Sequence, residues 1–565
     1  MNLFTQLFDS SVRFQRQYAE HLLNRFQFIP SPVARILLEN QWVEPRGLNA
    51  ALLGKSRVVI TGASGAGKTT ALAFLAVSNA RAMLTSLHPR VPLFFAASDL
   101  SPQALPRITD LPRDLNLRPD LVTQCPKIFF PDVFNSERAI VLIDDVDLLP
   151  VDQLQTWLNE MKGAQVIVTA QTRLPGLYEF ALPGFRDGDI EQFAKKWNAT
   201  NANAFLASLK SSGVPRTLTS NPATLTLLTQ VWKADQPLPT RRADLFDGVT
   251  HSALDDSDET TKMLEGTALA IQRGRPASNE FVSKSRGFFR LAKSRTAEFT
   301  HTLWQSYFAA RALRQAPNLA PVTDHLADPN WSDVVLFYAG LGDASELVDA
   351  LVARGDWSFA GRVIAHARQV RDDLRDSVTK ELLQRAWDGD AAATEALSEM
   401  QSDAAVDSFA AKLKDKDPTV RTRTAKILGR LQLDRGIEYL LPQLRDVNAD
   451  VRDHVVAGLG HSRTDRVIEP LLVALRGDPR VGTIDTQMRI AAAKALGEIA
   501  SDKALPALLV ELQMGEPEVR AVAADALKRI SSPLLLKPLQ GIAQSGDETA
   551  RKYAAEILLL VDGRG

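Results

Sequence analysis

Residues 57–77 read RVVITGASGAGKTTALAFLAV. A short β-branched run leads into a glycine-rich loop, and the loop leads into a helical run. Gly62, Gly67, Lys68 and Thr69 fit G-x-x-x-x-G-K-[ST]. At average residue usage that pattern arises by chance in roughly one chain of this length in fifty. The strand before it and the helix after it are the context a phosphate-binding loop requires. Backbone N–H groups must converge on phosphate oxygens, and bulky side chains would obstruct them. The segment Gly62, Ser64, Gly65, Ala66, Gly67, Lys68, Thr69 and Thr70 is therefore the expected cradle for ATP or ADP. Lys68 supplies a mobile point charge to the β- and γ-phosphates. Thr69 can place its hydroxyl on Mg²⁺.

Working outward, PLFFAA (92–97), AIVLI (139–143) and AQVIVTA (164–170) read as buried parallel strands separated by helix-length segments. That alternation predicts a doubly wound α/β domain. AIVLIDDVDLL (139–149) is an apolar strand delivering Asp144, Asp145 and Asp147 to the ligand-binding edge of the sheet. Asp144 reads as the carboxylate held near Mg²⁺. Asp145 is placed to orient an attacking water. AQVIVTAQTR brings Thr169 and Arg173 to the end of the next strand. Arg173 reads either as a γ-phosphate sensor or as an ordinary surface arginine.

The C-terminal part repeats. Arg421, Arg452, Arg489, Arg520 and Arg551 stand at intervals of 31, 37, 31 and 31 residues. The six-residue excess falls in the Gly/Asp-rich stretch at 477–485. Each unit holds a helix, an acidic turn and a second helix with Val-Arg-x-x-x-Ala-x-x-Leu-Gly spacing. Such a unit cannot bury its apolar face alone, so the units stack as a solenoid resembling short HEAT repeats. The arginines read as a structural ladder or, alternatively, as a nucleic-acid stripe. Residues 401–565 carry 24 Lys and Arg against 23 Asp and Glu, which favours a protein or peptide partner over nucleic acid.

Composition bounds the rest. The 565 residues predict three or four domains. Lys plus Arg is 66 and Asp plus Glu is 67, which excludes a globally basic protein. A single cysteine, Cys125, permits no internal disulfide and points to a reducing, cytoplasmic setting. No apolar run reaches the roughly 18–20 residues of a membrane span. Leu3, Phe4, Leu7 and Phe8 predict an amphipathic helix, packed on the next domain or free as a membrane-touching or effector element. FFRLAKSRTAEFT (288–300) predicts a hairpin.

From about 40 to 340 the chain resembles NACHT-type members of the STAND signalling ATPases. WVEPRG (42–47) precedes the phosphate loop as a similar motif does in bacterial members. VPLFFAASDL (91–100) matches the strand after the loop's helix, and IDDVDLL resembles D-G-x-D-E with Asp144 and Asp147 on its aspartates. NPATLTLL (221–228) resembles a helix start whose proline, here Pro222, covers the nucleotide. FTHTLWQSYFAA (299–310) resembles the winged-helix motif whose histidine, here His301, approaches the ADP phosphates. WSDVVLFYAGL (331–341) matches the following helix. Two positions depart: Leu148 replaces the motif's glutamate, and Ser306 replaces another. Asp145 fills the small-residue position, which leaves it as the base for any hydrolysis.

The resemblance implies a domain order. A helical segment (1–46) precedes a nucleotide-binding domain (47–185). A helical lid (186–240), a winged helix (241–320), a second helical domain (321–403) and the solenoid (404–565) follow. It also implies a closed ADP-bound monomer that opens on sensing a ligand at the repeats, exchanges to ATP and homo-oligomerises, in defence or regulation. The first 46 residues are too short for a usual effector. A continuously cycling remodelling ATPase and a HEAT scaffold with a non-hydrolysing nucleotide site are the competing readings.

Overall fold

The computed structural model describes the chain except residues 1–2, 30–35, 39–41, 46–47, 53, 87, 101–104, 108–110, 112–114, 116, 199, 255–257, 279, 286, 292–296, 463, 478–485, 531 and 563–565. The expected strands form one five-stranded parallel sheet: β1 (Arg57–Thr61), β2 (Val91–Ala96), β3 (Ala139–Asp144), β4 (Ala164–Ala170) and β5 (Tyr178–Ala181). Their spatial order is β2-β3-β4-β1-β5. Alternate residues of each strand feed two cores. Val59, Leu93, Phe95, Val141 and Val168 line one face. Val58, Ile60, Phe94, Leu142 and Ile167 line the other. Both faces are covered, which is why these strands read as unbroken apolar runs rather than as alternation.

Helix α1 (Leu3–Phe26) lies against this sheet. Phe14, Tyr18, Ala19 and Leu22 are buried in the same core as Val141. The Tyr18 hydroxyl donates to Pro92 O at 2.7 Å. Burial pushes that phenol well above its ordinary value. Helix α1 is thus packed on the sheet domain over these residues, while the side chains of Leu3, Phe4, Leu7 and Phe8 lie outside the described ones. Helix α2 (Lys68–Thr85) follows the phosphate loop. Among the described residues, no helix is long and apolar enough to cross a membrane.

Beyond Phe185 a continuous apolar core runs to Val561. Helix α3 (Asp187–Trp197) and helix α4 (Pro222–Val231) follow, and the start of α4 lies against the phosphate loop, where Ala223 N donates to Gly65 O at 3.2 Å. The expected hairpin is present as β6 (Phe289–Leu291) paired antiparallel with β7 (Ala297–Phe299); its tip, 292–296, lies outside the described residues. Helices α5 (Thr302–Arg314) and α6 (Ser332–Gly340) follow.

The solenoid is a stack of helix pairs. Before the repeats marked by arginine come α7 (Asp372–Asp388) and α8 (Ala391–Glu399). This pair lacks the Val-Arg and Leu-Gly signature, so the spacing did not reveal it. The marked pairs are α9 (Asp403–Lys412) with α10 (Pro418–Leu431), and α11 (Asp434–Leu440) with α12 (Ala449–Gly460). Next come α13 (Ile468–Arg476) with α14 (Thr486–Ile499), and α15 (Leu505–Met514) with α16 (Pro517–Ile530). The last is α17 (Leu536–Ser545) with α18 (Glu548–Asp562).

The repeated glycine has a packing cause. A Cβ on Gly429 would meet Gly458 Cα at 2.3 Å, and one on Gly497 would meet Ala526 at 2.7 Å. Second helices therefore approach each other backbone to backbone. Four of the five arginines form the expected structural ladder. Arg421 makes a forked pair with Asp446 at 2.7 and 2.8 Å. Arg452 donates to Asp446 O, Arg489 to Glu511 and Arg520 to Asp547. Arg421, Arg489 and Arg520 thus tie their repeats to an acid of the next one, whereas Arg452 braces the turn before its own helix.

Candidate nucleotide site

The phosphate loop has the backbone the motif demands. Gly65 and Gly67 are left-handed at φ 80° and 95°, a region closed to most side chains. Gly67 stands at the N-cap of α2, so that helix points its N-terminal dipole at the loop. Lys68 is buried, and its ammonium donates to Gly62 O at 2.7 Å and Ala63 O at 3.2 Å. Burial lowers its pKa, and Asp145, Asp144, Asp147 and Asp333 oppose that shift. Ser64, Ala66 and Thr70 are half-buried on the same loop and first helical turn, and Thr69 is exposed there.

The acid side is built by strand order. Strand β4 lies between β1 and β3, so Thr169 stands between the phosphate loop and the carboxylates. The Thr169 hydroxyl donates to Asp144 Oδ1 at 2.6 Å and accepts from Asp145 N at 2.8 Å. Burial raises the Asp144 carboxyl, and hydrogen bonds from Thr169 and Thr69 pull it down. The Thr69–Asp144 contact is the observation that fits Mg²⁺. A hydroxyl and a carboxylate meet where phosphate oxygens would arrive, and Mg²⁺ takes few protein ligands beside substrate oxygens. No cluster of three or more His, Cys, Asp or Glu able to hold a metal alone occurs among the described residues.

Asp145 sits at φ 55°, ψ 49°. The D-G-x-D-E pattern has its small residue here, and the left-handed backbone is the physical reason. Aspartate is one of the few side chains that tolerates it. Burial and, after it, the neighbouring Asp144 raise the Asp145 carboxyl, Lys68 pulls it back, and together they leave it at about 6. Asp147 is turned toward the adjoining strand end: its Oδ2 accepts from Gln171 N at 2.7 Å. Leu148, where the pattern has glutamate, is 61% exposed and supplies no acid. Arg173 is exposed and makes no hydrogen bond or ion pair among the described residues.

Two distant segments close the site. Helix α4 abuts the loop through its first residues. Asn221 caps that helix, accepting from Ala223 N and Thr224 N, while its amide donates to Ser64 O at 2.9 Å. A Cβ on Gly65 would meet Asn221 Oδ1 at 2.8 Å and Ala223 at 2.9 Å, so only glycine lets the lid seat. Pro222 follows at the first helical position, its ring 4.0 Å from a Cβ placed on Gly67. His301 caps α5: its Nδ1 accepts from Leu303 N at 3.0 Å. The ring proton is therefore on Nε2. Burial lowers its pKa to about 4, with Asp333 opposing and Lys68 adding to the fall. His301 is a neutral donor at physiological pH, within the field of Lys68.

The sequence reading missed four members of this site: Asn221, Asp333, Arg290 and the hydrogen-bonding role of Thr169. Asp333 on α6 pairs with Arg242 at 2.8 Å and acts electrostatically on both Lys68 and His301. Arg290 on β6 pairs with Glu298 at 3.1 Å and lowers both Asp144 and Asp145. The buried Ser306 leaves its neighbour Tyr307 hydrogen-bonded to Asp247, within a cluster that includes Arg311.

Thr169→Val should be costly for its size. It leaves Asp144 Oδ1 and the Asp145 N–H without their shared partner, worth about 1–3 kcal/mol for a buried group. Thermal melts should show that loss, and Thr169→Ser should recover it. The Asp145 shift gives a pH dependence. Its folded value lies above the ordinary 3.8, so the charged form is the costly one. That cost is absent below about pH 3.8 and complete above about pH 6. Asp145→Asn should therefore melt higher than the parent at neutral pH, with the difference closing toward pH 4.

Two family models agree with this architecture. A NACHT domain model matches residues 56–201. A HEAT-repeat model matches 376–460, 437–509 and 482–559, taking in the unmarked pair α7–α8. No curated protein is matched. Solved structures similar to the chain include an engineered protein, at 21% identity over 37% of this chain and 98% of that one, with a TM-score of 0.24. YibA of E. coli matches at 16% identity over 46% of this chain and 96% of that one, with a TM-score of 0.23. Human deoxyhypusine hydroxylase matches at 17% identity over 38% of this chain and 99% of that one, with a TM-score of 0.16.

Proposed function

We propose that this NACHT domain and its HEAT repeats work together as an ATP/ADP-controlled signalling switch. The observation that carries the reading is the enclosure of the phosphate loop. The Asn221–Ala223 lid bonds the loop from outside the sheet domain, and His301 lies within the electrostatic reach of Lys68, so a bound nucleotide would be shared by three parts of the chain. Bound Mg²⁺ would neutralise phosphate charge beside Thr69 and Asp144. Lys68 holds the phosphates, His301 donates from Nε2, and Asn221 keeps the lid seated. Asp145, with its raised pKa, is the group able to accept a proton from water. Asp145→Asn should keep nucleotide affinity within a few-fold and slow any hydrolysis.

The repeats are the sensing half, taking a protein or peptide trigger. A polar contact couples them to the lid. Arg186 donates to Ser462 O at 3.3 Å, and Asp187 accepts from Asp465 N at 3.2 Å. Lys503 of the next repeat pairs with Asp465 at 2.8 Å. A trigger that moves these turns bears directly on α3. Opening would then permit exchange to ATP and homo-oligomerisation, serving defence or regulation in the cytoplasm. This is a two-state element biased from two sites.

The enclosure is tested by release of a fluorescent ADP analogue. Asn221→Ala removes the bond to Ser64, worth about 0.5–1.5 kcal/mol, along with a helix cap. Release should accelerate several-fold while the phosphate loop stays intact. Release at the parental rate would remove the lid from the account.

A further inference from the structure

We infer that the first marked repeat carries a docking surface for an acidic protein segment, built on the exposed side of α10 and the junction with α7. Helix α10 reads PTVRTRTAKILGRL and contains four cations and no acid. Arg421 is consumed by the ladder. Arg423, Lys426 and Arg430 are exposed and make no ion pair among the described residues. Spaced i, i+3 and i+7, they line one face of the helix over about 10 Å. Lys412, at the end of α9, extends the patch. Its ammonium lies 3.7 Å from the centroid of the Trp387 ring, and Arg423 lies 4.8 Å from the same centroid. One aromatic ring thus holds two like charges close together, an arrangement that an incoming anion relieves.

The nearby acids are engaged elsewhere. Asp388 accepts from the Gln384 amide, Asp415 from Asp417 N, and Asp417 from Thr419 N as the helix cap. Further along the solenoid, acids stand at the positions equivalent to Lys426, Asp525 on α16 and Glu556 on α18. Lys528 pairs with Glu556 at 2.9 Å and with Asp525 at 3.6 Å. The equivalent face of α12 offers His454 and His461, each with Nδ1 bonded to a carbonyl of its own helix. The near-neutral total for residues 401–565 conceals a local face: residues 401–450 carry nine Lys and Arg against eight Asp and Glu, so the patch lies in how charge is placed on α10 and not in an excess at the entry of the solenoid.

Patch length selects the partner. A nucleic-acid backbone continues past three or four charges, and along this stack it would run onto Asp525 and Glu556. A protein segment with three carboxylates over about 10 Å ends where the patch ends. The inference deepens the proposed function by naming the chemistry the sensing half recognises, and it rests on that reading.

The test uses the full chain, a fluorescein-labelled glutamate decapeptide and a single-stranded DNA oligonucleotide, read by anisotropy at low and physiological salt. Arg423→Ala, Lys426→Ala and Arg430→Ala are combined in one variant. A control variant removes the same charge elsewhere through Arg529→Ala, Lys537→Ala and Lys552→Ala. The expected result is peptide binding that weakens on the order of tenfold in the first variant and stays within about twofold in the control. Circular dichroism verifies that both variants are folded. Absence of peptide binding, equal loss in the control, or tighter DNA binding abolished by the same three substitutions would each overturn the surface. Release of labelled ADP is followed separately on adding peptide. Binding without faster release upholds the surface and contradicts the switch.

Discussion

His301→Ala should assemble in ATP without any trigger. The His301 ring is neutral, its Nδ1 is occupied by Leu303 N, and its Nε2–H is the donor left for a phosphate. If that bond exists only in the closed form, its loss weakens only that form. A hydrogen bond to a charged group is worth about 1.5–3 kcal/mol, so the closed-to-open ratio falls by roughly tenfold to over a hundredfold. Swinging a switch fully takes about 5.5 kcal/mol, so the variant travels a large part of the way. Alanine also deletes a helix cap, which weakens α5 in both forms. His301→Asn separates the two effects, because asparagine caps a helix well but is too short to reach as the imidazole does. Light scattering should find both variants larger than the parent in ATP. Assembly by Ala but not Asn would assign the effect to the cap.

Lys68→Ala and Asp144→Ala should each lower Mg-nucleotide affinity on the order of tenfold to a hundredfold. Lys68 is the buried cation of the loop, and Asp144 is the carboxylate bonded by Thr69 and Thr169. Each charge-assisted contact is worth roughly 1.5–3 kcal/mol. The two losses differ in kind. Lys68→Ala should weaken binding with or without magnesium, whereas Asp144→Ala should weaken it chiefly when magnesium is present. Calorimetry with ATP and ADP, in magnesium and in chelator, checks this. Unchanged affinity in both variants would remove the nucleotide from this loop.

The local parts of this site were legible because their signals are local. The β1–loop–α2 unit is contiguous, and AIVLIDD carries its acids at the end of one buried strand. The repeat was legible because Arg421, Arg489 and Arg520 each pair with an acid of the following repeat. The missed members are contacts between distant segments. Asn221 meets Ser64 across 157 residues, and no pattern near either residue announces it. Pro222 drew notice through the family motif, but the neighbouring asparagine makes the bond. Thr169 was passed over beside Arg173 because strand order, which sequence does not give, decides that β4 lies between the loop and the acids. Asp333 and Arg290 act through space on groups they do not touch. The basic face of α10 was hidden by counting charge along the sequence, where the acids of residues 401–450 offset it.

The central claim is that the enclosed site holds a nucleotide and keeps the chain closed. The most direct measurement is the identity and amount of nucleotide released from the purified full-length protein on denaturation, read by mass spectrometry. The account predicts ADP at close to one molecule per chain, and none from the Lys68→Ala variant. A wild-type chain that comes through purification carrying no nucleotide would contradict it.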